Sequence, residues 1–245
     1  MSHIINPYRH AAVVANGLLT GLESYWKLDE ASGTILDSHG SNDGTLTGAT
    51  YGATGVINDA IDFDGTGDYI TISDVLDFDY NEPFSIQCWY KPNSASTDNH
   101  FLVAKQESGG NFRGYALWRG GSGQNHRLLF ELVSTPSNLL SFKGTTQLTN
   151  TSKWYHIVAT YDGSDAVSGM TLYIDGSSES STSTTDSLST TTVNAVDLVI
   201  GARGTGQETD GVLDEVGIWS RELSASDVTT LYNSGSGTPY GDFTS

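Results

Sequence analysis

A single cysteine, Cys88, stands among 245 residues, so no internal disulfide can form and the chain must stand on its core and any bound metal. Cationic residues are scarce as well: 11 Lys and Arg face 29 Asp and Glu, a formal net charge of −18. Polyanion binding draws its affinity from neutralised phosphates, so nucleic acid and anionic lipid are poor partners for such a surface. No apolar run approaches the ~20 residues needed to cross a bilayer, so membrane insertion is not expected. Charged residues total 16 %, below the roughly 25 % of an average soluble domain. What is abundant is glycine, at 28 residues, together with Ser and Thr. That balance describes a turn-rich β protein and not a helical bundle. The 37 % hydrophobic content supports a core, and one β-sandwich can use the whole length. The carboxylate surplus favours solubility and supplies hard oxygen ligands for a cation such as calcium.

Residues 1–21 differ from the rest and show neither strand alternation nor a helical period. Asn6-Pro7 interrupts the pattern of a secretory signal, and Asn16 and Gly17 end the apolar stretch Ala11 to Ala15, so no cleaved signal is expected. The segment combines Ile4, Ile5, Tyr8 and the Ala11–Val14 run with Arg9 as its only formal charge. Such a segment has no core of its own and either stays disordered or orders against a partner. It is therefore expected to be an arm or anchor, holding the chain to its own copies or to a capsid or tail shell.

Residues 22–245 form one domain on this reading. Short β-rich segments recur at Tyr25–Leu28, Ala60–Phe63, Tyr69–Ile72, Phe84–Tyr90, Phe101–Lys105, Tyr115–Trp118, Arg127–Val133, Trp154–Tyr161, Thr171–Ile174, Leu198–Ile200 and Val212–Trp219. Turn dipeptides such as Asp64-Gly65, Asp162-Gly163 and Asp175-Gly176 punctuate them. Many short strands around one core point to an all-β sandwich or jelly roll. One short helix is expected near 224–233. Ser224 and Asp227 are spaced as a capping box, Leu223 and Val228 as a staple, and Gly235 as a stop. Residues 177–192 are Ser or Thr at 13 of 16 positions, and they read as an exposed hairpin of polar β-formers more than as a linker.

Several stretches resemble one family when taken together. They are Tyr25-Trp26-Lys27-Leu28-Asp29-Glu30 with Gly33 and Asp37; Ile61-Asp62-Phe63-Asp64-Gly65 with Asp68-Tyr69-Ile70; Phe84-Ser85-Ile86 with Trp89; Trp154 to Val158 leading to Leu172-Tyr173-Ile174-Asp175-Gly176; and Leu213-Asp214-Glu215-Val216 followed by Trp219 to Ser224. In this order and spacing they are similar to the laminin-G-like, concanavalin A-like jelly-roll domains, over roughly residues 22–233. The resemblance implies two antiparallel sheets, often a structural calcium, and members that bind glycans or proteins or serve as accessory modules. Fold alone does not fix function.

Some relatives of this kind are glycosidases. Retaining hydrolysis needs two carboxyl groups about 5–5.5 Å apart, and the Glu-x-Asp-x-Glu strand of such relatives is absent here. Asp62 and Asp64 alternate but run into a glycine turn, and Asp77-Phe78-Asp79 looks like loop. No H-E-x-x-H or G-x-S-x-G occurs, so the chain is expected not to be an enzyme. For calcium, the run Asp37 to Gly44 spaces oxygen donors around a turn, although it lacks the third acid and flanking helices of an EF-hand. The resemblance brings Asp214 toward it, so Asp37, Asn42, Asp43 and Asp214 are the candidate ligands; the alternative is an Asx-rich turn with solvated carboxylates. For a glycan, Trp26, Trp89, Trp154 and Trp219 fall at the family's core positions. Trp118 instead precedes a Gly-rich polar loop, so Trp118, Arg119, Gln124, Asn125 and His126 are the candidate ligand residues, with a stacking ring beside convergent polar groups. A hairpin tip has much the same composition. Gly204 to Asp210 is a second loop of this type. The expected function is a non-catalytic jelly roll on a virion surface, a phage decoration or fibre protein touching glycans; the alternative is a secreted carbohydrate-binding module or adhesin.

Overall fold

The computed structural model describes residues 17–245. The expected anchor lies mostly outside the described residues, since 1–16 are not among them. In chain order the strands are β1 (Leu22–Trp26), β2 (Thr34–Ile35), β3 (Gly44–Thr47), β4 (Thr50–Thr54), β5 (Asp59–Asp64), β6 (Tyr69–Ile72), β7 (Phe84–Pro92), β8 (His100–Gln106) and β9 (Gly114–Arg119). They continue with β10 (Arg127–Thr135), β11 (Asn138–Gln147), β12 (Tyr155–Tyr161), β13 (Met170–Ile174), β14 (Ser177–Ser178), β15 (Ser183–Asp186), β16 (Leu198–Ile200) and β17 (Asp210–Trp219), before helix α1 (Ala225–Tyr232).

These strands make two antiparallel sheets, the sandwich that the sequence led us to expect. One runs β14-β13-β12-β7-β17-β5-β4, with β1 also paired to β17. The other runs β15-β11-β10-β9-β8-β16-β6-β3-β2. Strand alternation explains the packing between them. Phe84, Ile86, Cys88 and Tyr90 of β7 face Leu128, Phe130 and Leu132 of β10 within one hydrophobic cluster that extends from Trp26 to Ile218. Each such large side chain contributes roughly 1.5–3 kcal/mol when fully buried. Cys88 belongs to this cluster, and burial pushes its thiol well up, so it acts as a small apolar side chain.

The other face of the first sheet is covered too. Leu18, Leu22, Tyr25, Val158, Trp219, Leu223, Val228, Leu231 and Phe243 form a second buried cluster beneath α1 and the C-terminal segment. Residues 17–21 are tied in here: the Leu18 carbonyl accepts from Trp219 Nε1 at 2.7 Å, and the Leu19 amide donates to Thr244 O at 3.0 Å. The helix begins as its sequence dictates, with Ser224 as N-cap in a reciprocal capping box with Asp227. The Ser/Thr-rich stretch is no linker. Ser183–Asp186 pairs with β11 as an edge strand, and Leu188 enters the main core. One buried cation is wholly structural. Lys105, 1 % exposed, is held by Asp74 and by Asp77 at 3.1 Å.

Candidate functional site

The 118–126 loop differs from the expectation placed on it. Alternation along β9 puts Tyr115 and Leu117 on the core side, and Arg119 two residues later continues that side. Its side chain is 0 % exposed. Nε donates to Leu148 O at 3.2 Å, one terminal nitrogen to His100 Nε2 at 3.2 Å, and the other to His126 Nδ1 at 2.9 Å. Arg119 therefore braces the loop from within and offers nothing to a ligand. Trp118 is likewise buried, at 7 % exposure, because the outer face of the second sheet is itself packed. Its ring stacks on Phe101 at 5.2 Å, its Nε1 donates to Glu131 at 3.1 Å, and Ala104, Ala116 and Leu129 close the cluster. No ring face is left for a sugar. Gln124 is half-buried and accepts from Lys143 Nζ at 3.1 Å, while Asn125 is exposed in the left-handed region at φ 55°.

What the loop supports is a neighbouring cleft. Gly121 carries no side chain at the point where a Cβ would meet the Thr97 carbonyl at 1.9 Å. This close approach lets the Gly121 amide donate to Asn99 Oδ1 at 2.9 Å and the Ser122 amide to Thr97 O at 3.3 Å. The 93–99 loop is thus pressed toward two others, and together they enclose a cleft of about 580 Å3. Asp64, Gly65 and Thr66 line it from the β5–β6 turn, Ser96 to His100 from the β7–β8 connection, and Gln207, Glu208 and Asp210 from the β16–β17 connection.

The floor of this cleft is rigid. His100 is 1 % exposed and uses both ring nitrogens. An Arg N–H can only donate, so Nε2 accepts from Arg119 and from the Ser96 hydroxyl at 2.7 Å, and Nδ1–H donates to the Tyr90 hydroxyl at 2.9 Å. Burial and the adjacent Arg119 charge push the imidazole down to about 3, keeping it neutral. The walls combine fixed and free groups. Asp64 Oδ1 accepts the Thr66 amide, and Asp210 accepts from the Ser94 hydroxyl. Asp98 and Gln207, both exposed, and half-exposed Glu208 have no hydrogen bond or ion pair to any described residue. Sequence reading had singled out only the 204–210 side. The signal for the rest was Asn93 to Asn99, seven Asn, Ser, Ala, Thr and Asp residues between two strands.

The proposed calcium ligands do not converge. Asp37 Oδ1 accepts the amides of Tyr25, His39 and Gly40 at 3.0, 3.0 and 2.9 Å, and Oδ2 that of Asn42 at 3.0 Å. Partial burial works against these donors, yet they hold the carboxyl below its usual range. Asp43 Oδ1 accepts the Asp37 amide, and Asn42 donates to Ser24 Oγ while its carbonyl accepts from Trp26 Nε1. Asp214 takes its donors elsewhere, from Val56 and Ile57 at 2.7 and 3.1 Å, and keeps a buried Oδ1 without a hydrogen bond. A hard cation needs six to eight oxygens with free lone pairs. Among the described residues, no group of three or more His, Cys, Asp or Glu is arranged to hold a metal ion. These four side chains do not fit calcium as a set; the first three build a hydrogen-bonded Asx turn.

A family model described as the concanavalin A-like lectin/glucanases superfamily matches residues 64–229, more than half of the chain. The chain belongs to this superfamily. No curated protein sequence matches it. Among solved structures, the binding domain of Paraclostridial Mosquitocidal Protein 1 is similar at 17 % identity and a TM-score of 0.69, over 89 % of this chain and 53 % of that one. Domain 4 of AbnA, a GH43 extracellular arabinanase from Geobacillus stearothermophilus, in complex with arabinotriose, aligns at 20 % identity and a TM-score of 0.60, over 85 % of this chain and 96 % of that one. Trypanosoma rangeli sialidase aligns at 15 % and 0.64, over 89 % and 34 %. This chain thus spans about half of the mosquitocidal binding domain and a third of the sialidase. At such identities the likeness is one of fold.

The superfamily includes glucanases by its description, and three acids weighed for such chemistry, Asp62, Asp77 and Asp79, are engaged otherwise. Asp62 accepts from Asn93 Nδ2 at 2.7 Å, Asp77 pairs with Lys105, and Asp79 Oδ1 accepts the amides of Tyr80 and Thr192. The carboxyls that burial raises most are two neighbours on β17. Asp214, 0 % exposed, is pushed up to about 7 and Glu215, 1 % exposed, to about 8. Glu215 sits at φ 50° in a bulge of β17, with the Tyr25 phenol beside it. Trp154 also departs from the core position expected of it. It is half-buried, with Lys91 Nζ 5.1 Å above its ring.

Proposed function

We propose that this domain is a non-catalytic glycan-binding module that seats an oligosaccharide in the cleft of Asp64, Ser96–His100 and Gln207–Asp210. The observation that carries the reading is the contrast within the cleft. A buried His100–Arg119 pair fixes the floor, and Asp98, Gln207 and Glu208 on the walls have no partner among the described residues. Sugar hydroxyls both donate and accept, and such a lining of carboxylates, amides and hydroxyls answers both needs. The AbnA domain, whose structure holds arabinotriose, supports the class of ligand. The toxin binding domains support recognition by this fold. Among the described residues no Trp, Tyr or Phe lines the cleft. Affinity then rests on hydrogen bonds of about 0.5–1.5 kcal/mol each, which for a small oligosaccharide means dissociation constants on the order of millimolar.

Display on a virion surface, through the residues before Gly17, belongs to the same proposal. Residues 17–21 are fixed on the sandwich by Leu18, Leu19 and the Gly17 carbonyl, which accepts from Arg221 at 3.1 Å. A preceding arm would leave from that point. The secreted module is the alternative, and it uses the same cleft. Titration of neutral oligosaccharides by NMR, alongside a hydrolysis assay on the same panel, tests the reading. Saturable binding without product release supports it, and turnover of any bound glycan overturns the non-catalytic part. Removing residues 2–16 tests display: the sandwich should stay folded and lose attachment.

A further inference from the structure

The charge of the cleft goes further than its shape. Four of its lining side chains, Asp64, Asp98, Glu208 and Asp210, are carboxylic acids, and among the described residues no Lys or Arg lines it. Its one imidazole, His100, is neutral and has both nitrogens engaged. The nearest buried cation, Arg119, aims its donors at Leu148, His100 and His126 and so presents none to the cleft. The chain as a whole adds a field of the same sign, at −18. A ligand carboxylate entering here would lose water and meet only like charge, whereas an ammonium group would find charged acceptors already in place. The acids are also spread over three loops. No three of them are gathered as a metal site, which favours an ammonium carrying three diverging donors over a divalent ion that needs convergent oxygens.

Resting on the glycan reading above, we infer that the cleft selects its ligand by charge, with amino-sugar oligosaccharides preferred, neutral ones weaker and uronic or sialic acid-bearing ones rejected. Asp98 and Glu208, without a partner among the described residues, are the residues that set this order. Opposite charges in contact attract even in water and more strongly in a partly enclosed site. The selectivity is therefore large enough to measure and screened by salt.

The test is calorimetric or NMR titration, at pH 6 with EDTA present, of a glucosamine trimer, its N-acetylated counterpart and a galacturonic acid trimer. At low ionic strength the glucosamine trimer should bind at least about tenfold more tightly than the N-acetylated one, and the uronate should not bind. In ~0.5 M salt the gap should shrink to about threefold or less. The double variant Asp98→Asn, Glu208→Gln should shrink it similarly at low salt, whatever happens to both affinities. An equal or tighter uronate, a preference that survives in the double variant, or binding that appears only when calcium replaces EDTA overturns the charge inference. If none of the three trimers binds under either condition, the glycan reading itself falls, a different result from a wrong order.

Discussion

The polar side chains of this sandwich divide between two regions that look alike in composition. In the interior and the bracing loop, Arg119, His100, Asp37 and Asp214 have donors or acceptors supplied by the fold itself. On the cleft walls, Asp98, Gln207 and Glu208 have none among the described residues. Carboxylates occur in both regions, and what differs is whether backbone amides or partner side chains reach them. Polar loop composition thus marks a place where a site can be. Which polar groups are already satisfied decides where it is.

The largest expected effect that would sharpen this contrast is on pH. Asp214 and Glu215 have folded values of about 7 and about 8, raised by burial above unfolded values of 3.8 and 4.5. Groups raised in this direction contribute stability that is full below the unfolded value and is lost as pH rises through the folded one. Asp37, Asp79, Glu179 and Asp227 are lowered despite partial burial, through the hydrogen bonds they accept, and their contribution is lost as pH falls below about 4. Stability should therefore peak near pH 4, between the two sets of groups, and fall by several kcal/mol by pH 9. Urea unfolding across that range checks it, and Glu215→Gln should flatten the alkaline limb.

Next in size is Arg119→Ala, which removes the donor to the buried Leu148 carbonyl and those to His100 and half-buried His126, and empties a fully buried site. We expect a loss on the order of 3 kcal/mol in the same assay, where a ligand-facing arginine would cost almost nothing. Gly121→Val places carbon against the Thr97 carbonyl and should cost about 2 kcal/mol, with glycan binding weakened because the 93–99 loop must move. Asp37→Asn substitutes an amide for an acceptor of backbone N–H groups. It should cost about 1 kcal/mol, equally with chelator or with calcium. A calcium-dependent cost would restore the metal reading of that turn.

Much of the fold was legible because alternation survives in short strands. Tyr69–Ile72 and Leu198–Ile200 coincide with β6 and β16 residue for residue. The Ser224–Asp227 box likewise places α1. The strands that escaped reading, β2, β3, β4 and the whole of β11, are rich in Thr, Gly and Ser. Pairing of their backbones, which no side-chain pattern announces, holds them in the sheets. The site was legible in fewer parts. Residues 64–66, 96–100 and 207–210 come from three separate connections, and sequence offers no sign that they meet. The error at Arg119 was avoidable in principle, since its spacing of i+2 and i+4 from Leu117 and Tyr115 already put it on the core side. Trp118 was not so readable. Its burial follows from Phe101 and Leu129 on neighbouring strands, contacts set by register.

The most direct test of the cleft is a map of backbone amide shifts as a glucosamine or neutral trimer is titrated into the uniformly labelled domain. The account predicts saturating shifts concentrated at 64–66, 96–100 and 207–210, with Ser122 to Asn125 moving little. Shifts centred on Ser122–Asn125 or on the outer face around Trp118, with the cleft silent, would contradict it.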